Sequence, residues 1–217
     1  MDRLDRELEH HAPLPPASRA RLLEALRKEL PAAPRAHQWR VEIVRVVMAV
    51  LVVTAGLAAA LVVSGNASLA VLGDRAAVFV GCSALCAFAA YSAIAPRKRR
   101  SQLVSSLAFL VAAAALVLVR RQTTVGSSPE WLCTATHVAA SAVPLTFGLL
   151  ALRRGGARAF AGLALGVAAG TTGAMVGEVA CGRDATHVLL FHVSAWAAVV
   201  LGGAVLSRLV PVRSHAP

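Results

Sequence analysis

The sequence predicts an all-α polytopic membrane protein: a six-transmembrane-helix bundle preceded by a short helical N-terminal tail. Three observations lead there. Hydrophobic residues make up 57% of the chain and charged residues only 15%, with a mean hydropathy of +0.66; a soluble domain carries about 25% charged residues. The apolar residues gather into six runs, at 41–63, 76–95, 103–119, 131–152, 159–180 and 186–207, each near the length of about 20 residues that crosses a bilayer as a helix. Finally, 18 of the 22 Lys and Arg residues fall on one side of the zigzag those runs imply. By the positive-inside rule both termini face the cytoplasm, as an even number of spans requires. Three segments are therefore expected: a cytoplasmic tail at 1–40, a membrane bundle at 41–207 and a cytoplasmic C-terminal tail at 208–217.

The tail begins with a charged stretch in which Leu4 and Leu8 lie one helical turn apart, and Pro13, Pro15 and Pro16 interrupt it. Ser18 is placed to cap a helix that Pro31 and Pro34 end. Within it Leu22, Leu26 and Leu30 recur every fourth residue, with Leu23 beside them, giving one apolar stripe on a charged helix. A helix of that length is marginal alone in water, so its stripe needs a cover: a partner protein, the membrane surface, or residues 1–9 folded back. The net charge of +11 sits mostly beside the membrane runs. It therefore reads as topogenic charge against anionic lipid, with no direct contact to nucleic acid expected.

The first run, with nothing resembling a cleavable leader before it, is read as an uncleaved anchor. The second carries Cys82 and Cys86 among Ala, Leu and Phe, where buried thiols behave as small apolar residues. The third run is short and ends at Arg120 and Arg121, which violate the charge bias. In the fourth, Pro144 is a possible kink. The fifth carries Gly162, Gly166, Gly170, Gly173 and Gly177, a spacing that lets neighbouring helices approach closely and reads as bundle packing. Glu178, near the outer end of this run, is read as the lone intramembrane acid. Internal repeats and the broken helices of transporters are not apparent.

No nucleotide-binding, zinc-protease or serine-hydrolase motif occurs, and with short loops the chain is not expected to be an enzyme. The residues most able to carry chemistry cluster at the expected outer face. Cys133 opens the fourth run and His137 follows one turn later; Cys181 ends the fifth, with Glu178 three residues before it; His187 opens the sixth and His192 lies within it. Thiolates and imidazoles suit zinc and other soft or borderline metals. Two cysteines facing an oxidising compartment could equally form a disulfide. A metal ion at this cluster is thus a possibility, alongside a bridge or free thiols and histidines bonded within the bundle. A haem protein using His137, His187 and His192 is the alternative reading. At 100° per residue, however, His187 and His192 lie about 140° apart on one helix and are expected to point apart.

Residues 130–208 carry a further pattern. Trp131-x-Cys133 opens a helix, Leu152-Arg153-Arg154 forms a turn, and a glycine-rich helix ends at Cys181. A short acidic loop follows, then a helix with Phe191-His192 that closes on Gly202-Gly203. This resembles the NrsF-type membrane anti-sigma factors; in size and layout the chain is also similar to the six-span, light-responsive anti-sigma factors of myxobacteria. The resemblance implies that the cytoplasmic tail, chiefly Leu4, Leu8, Leu22, Leu23, Leu26 and Leu30, holds an extracytoplasmic-function sigma factor at the inner membrane. It also implies that Cys133 and Cys181 occupy the family's sensing cysteine positions, with His187 or His192 near its last-helix histidine. Where that family often carries His-Cys, this chain has Ala180-Cys181. The tail also lacks the His-x3-Cys-x2-Cys pattern of soluble zinc-containing anti-sigma domains.

Overall fold

The computed structural model describes residues 38–95, 99–119, 129–155 and 160–209, together with Ser18, Arg21, Glu24 and Ala25 of the tail, which are helical and exposed. The six tail leucines, the Arg120-Arg121 pair and residues 210–217 lie outside the described residues. The bundle falls within His37–Arg213 and is described by itself.

Among the described residues, six helices are long and apolar enough to cross a membrane. They are α1 (Gln38–Val63), α2 (Ala76–Ile94), α3 (Arg99–Val119), α4 (Glu130–Gly155), α5 (Ala161–Ala180) and α6, which runs from Ala185 to Leu209. No strand occurs among the described residues. A short helix, Leu69–Asp74, lies between α1 and α2 and is capped by the Ser68 hydroxyl, which accepts from the Val71 N–H. The six apolar runs thus appear as helices, with ends shifted by a few residues. The largest shift is at α3, which starts at Arg99, so the third span is not short. Large apolar side chains such as Val52, Leu107, Val111 and Leu201 point outward from the bundle, as lipid-facing residues of a multi-pass membrane protein do.

α5 is the hub. It packs against each of the other five spans, and 89% of its spanning window is buried, against 22–39% for the rest. It is also the least apolar span, with a mean hydropathy of 1.4. The two facts have one cause: a helix wrapped by protein need not dissolve in lipid, so it can be rich in glycine and threonine. The core around it holds Val46, Val50, Leu165, Met175 and Trp196. Cys82 and Cys86 are buried in the same core, as packing residues. Trp196 donates from Nε1 to the Val167 carbonyl at 3.2 Å and meets Phe109 edge-on, with ring centroids 4.9 Å apart.

The acids need one correction. Glu178 is not the lone intramembrane acid: Glu42 is also buried, near the start of α1, and accepts from Arg45 at 2.9 Å. The sequence shows the reason, since Arg45 stands three residues on and neutralises Glu42 on the same face.

Candidate functional site

The site lies at the end of the bundle remote from the start of α1, where α4 begins, α5 ends and α6 begins. Each residue is held by local structure. Cys181 closes α5 in an extended conformation, its N–H donating to the Gly177 carbonyl at 3.0 Å. Only Gly182, Arg183 and Asp184 separate it from α6. Asp184 caps α6, its carboxylate accepting from the His187 N–H at 2.9 Å. Cys133 projects from the first turns of α4, and His137 sits one turn deeper on the same face.

Val188–Val193 forms a π-helical segment within α6. A π turn bonds residue i to i+5, which stacks residues five apart. His187 and His192 are five apart, and their ring centroids lie 5.6 Å from one another. The expectation that they point apart is overturned, because it assumed α-helical rotation throughout. The widened turn is supported from α4, where the Thr134 hydroxyl donates to the Phe191 carbonyl at 3.1 Å. Phe191 in turn stacks on His187, with centroids at 4.8 Å.

Of the six residues expected here, the structure brings four together. One ligand atom from each of Cys133, Cys181, His187 and His192 lies within 4.8 Å of all the others. The thiols are not bonded to each other. His137 is outside that group. It is buried beneath it, 6.2 Å from His192 between ring centroids. Glu178 is outside the group as well, paired with Arg75 at 3.6 Å, both side chains being largely buried. Sequence reasoning missed Arg75 as its partner, although Arg75 was one of only four basic residues on that side. Glu130 bridges to Arg183 at 3.3 Å, tying the start of α4 to the α5–α6 connection.

The five glycines of α5 line different neighbours. A Cβ at Gly166 would stand 2.5 Å from Val200 Cα and 2.7 Å from the Val199 carbonyl. At Gly162 it would run into Ser207 and the Gly203 carbonyl, at Gly170 into the Trp196 ring, and at Gly173 into the His137 ring. At Gly177 it would lie 2.5 Å from His192 Nδ1. The last two glycines therefore make room for the histidines. A half-open cleft of about 580 Å³ leads to the group, lined by Leu57, Leu61, Cys133, His137, Cys181 and His192 among others.

The chain is 35% identical over 209 residues to the carotenogenesis protein CarR of Myxococcus xanthus, a match covering 93% of this chain and 91% of that protein. The chain belongs to the CarR family. No protein-family model matches it, and no solved structure does. The NrsF-type likeness thus rests on the pattern in residues 130–208 alone, whereas the likeness to CarR runs nearly end to end. At 93% coverage the unmatched residues are fewer than the tail contains, so the CarR match takes in part of the tail as well as the spans.

Proposed function

We propose that this protein is a membrane anti-sigma factor that regulates carotenoid synthesis. Its tail holds an extracytoplasmic-function sigma factor at the inner membrane and lets it go when the opposite end of the bundle receives a signal. The observation that carries this is the near full-length match to a carotenogenesis protein, joined to a layout of charged tail and compact bundle that offers no enzyme motif. In this reading the protein acts by binding, not by catalysis.

The division of labour follows from charge and hydrophobicity. The basic bias supports a cytoplasmic tail, on the side where a sigma factor and RNA polymerase are. The stripe of Leu22, Leu26 and Leu30, with Leu23, Leu4 and Leu8, supplies an apolar surface that needs a cover, and the flanking Arg and Glu residues fix its register. The bundle supplies the tether. Release requires only two bundle arrangements that a signal binds or stabilises unequally; redox change, metal and a light-linked stimulus are the candidate inputs.

The test is co-purification of the full-length protein with the sigma factors of its own host. A sigma factor should be retained by the wild type and lost from the Leu22→Asp, Leu26→Asp variant, while deletion of the gene should raise carotenoid content without the stimulus. Retention of the sigma factor by the double variant would remove the tail from the mechanism. A Soret band on the purified protein would favour the haem alternative instead.

A further inference from the structure

We infer that Cys133, Cys181, His187 and His192 bind one transition-metal ion of the zinc class, tetrahedrally, through two thiolates and two imidazoles. The inference names a ligand for one end of the bundle and stands independently of the tail, since a chain that held no sigma factor would still bind the ion.

Four observations carry it. The donor atoms already lie within 4.8 Å of one another, and two sulfurs with two imidazole nitrogens are a donor set of structural zinc sites. The group is sheltered, with Cys181, His187 and His192 buried, yet the cleft lined by Cys133, Cys181 and His192 gives an entry path. The nearby carboxylates lie outside the four grouped donors: Glu178 pairs with Arg75, and Glu130 pairs with Arg183 while the same oxygen stands 3.9 Å from His187 Nδ1, which leaves a sulfur–nitrogen site that disfavours magnesium or calcium. The fourth observation is the π turn. π turns are rare and recur at functional sites. This one moves His192 onto the face of His187 and towards both cysteines, and Gly177 leaves space for its ring. A disulfide between Cys133 and Cys181 would use neither histidine and would leave that arrangement without a purpose.

The geometry also gives binding a mechanical consequence. At zinc–nitrogen bonds of about 2.0–2.1 Å and zinc–sulfur bonds of about 2.3 Å, tetrahedral ligands stand about 3.3–3.8 Å apart. An ion would therefore draw the start of α4, the end of α5 and the start of α6 together, releasing the two thiol protons to solvent as it binds.

The experiment uses the full-length protein, reduced and metal-free, in detergent. Titration with Co²⁺ should give one ion per chain, thiolate-to-cobalt charge-transfer absorption and the intense visible bands of tetrahedral cobalt, and Zn²⁺ should displace it. The Cys82→Ala, Cys86→Ala variant should bind as the wild type does. Cys133→Ser, Cys181→Ser should lose the charge-transfer band, and His192→Ala should weaken binding by at least about tenfold. Should the cysteine variants not fold, zinc-edge X-ray absorption of the wild type decides: two sulfur and two nitrogen neighbours are expected. Absence of cobalt uptake, a charge-transfer band that survives loss of Cys133 and Cys181, or a zinc shell of oxygen and nitrogen alone would each overturn the site. Sigma-factor retention, measured on the same preparations, reports separately on the tail.

Discussion

The two halves of α5 share one glycine spacing and use it for opposite ends. Towards its start, Gly162 and Gly166 bring backbone against backbone: Gly203 meets Gly162 and Gly166, and Val200 covers Gly166. Towards its end, Gly173 and Gly177 hold space for the rings of His137 and His192. The first half excludes everything between two helices; the second admits polar groups to the centre of an apolar bundle. Small residues in a membrane helix therefore do not by themselves signify close helix pairing. What faces them decides whether the glycine serves packing or a site.

The largest expected effect comes from the polar half. Glu178 and Arg75 are both largely buried, and removing one partner of such a pair strands a charge at about 3–5 kcal/mol. Glu178→Ala should therefore lower the thermal midpoint of the purified protein more than any other change considered, and adding Arg75→Met should recover part of the loss. If the single and double variants melt together, the pair contributes no coupling and the contrast between the halves loses its electrostatic side.

Next comes the packing half. Gly166→Ala sets a methyl 2.5 Å from Val200 Cα. Backbone on that side cannot rotate away, so α5 and α6 must separate, at about 1–3 kcal/mol. Gly177→Ala meets the His192 ring instead, and a side chain can turn aside. It should destabilise by less than Gly166→Ala yet weaken cobalt binding, which Gly166→Ala leaves closer to wild type. Reversal of that pattern, with Gly177 dominating stability and Gly166 dominating metal uptake, would break the comparison outright.

The sequence made some of this legible and concealed the rest for physical reasons. The spans were readable because a bilayer demands about 20 apolar residues whatever the tertiary contacts. The cysteine end was readable because Cys133 and Cys181 fall at helix ends on the same side of the charge bias. The central place of α5 was visible only indirectly, in its glycines and low hydropathy, since burial by protein and burial by lipid both select apolar residues. The meeting of His187 and His192 was concealed, because an assumed rotation of 100° per residue fails wherever a helix widens, and the Phe191 carbonyl of the π turn accepts from Thr134 of another helix, a contact that only the fold makes. The Glu178–Arg75 pair was concealed likewise: its members lie about a hundred residues apart and only the fold joins them.

The smallest effect on stability, and the largest on function, is expected at the tail. Leu22→Asp, Leu26→Asp changes residues that precede the bundle's first helix at Gln38. In the proposed reading the stripe packs on a partner, and surface substitutions shift stability by no more than about 0.5 kcal/mol, so the thermal midpoint of the bundle should not move. Cobalt binding at the far end should also be intact. Sigma-factor retention should be lost, because two carboxylates on the leucine stripe must be desolvated in any apolar partner groove. A variant that melts normally, binds metal normally and has lost its partner would separate the tether from the tail. A variant that instead loses metal uptake would mean that the stripe packs on the bundle, and that the tail's apolar face is covered by its own chain.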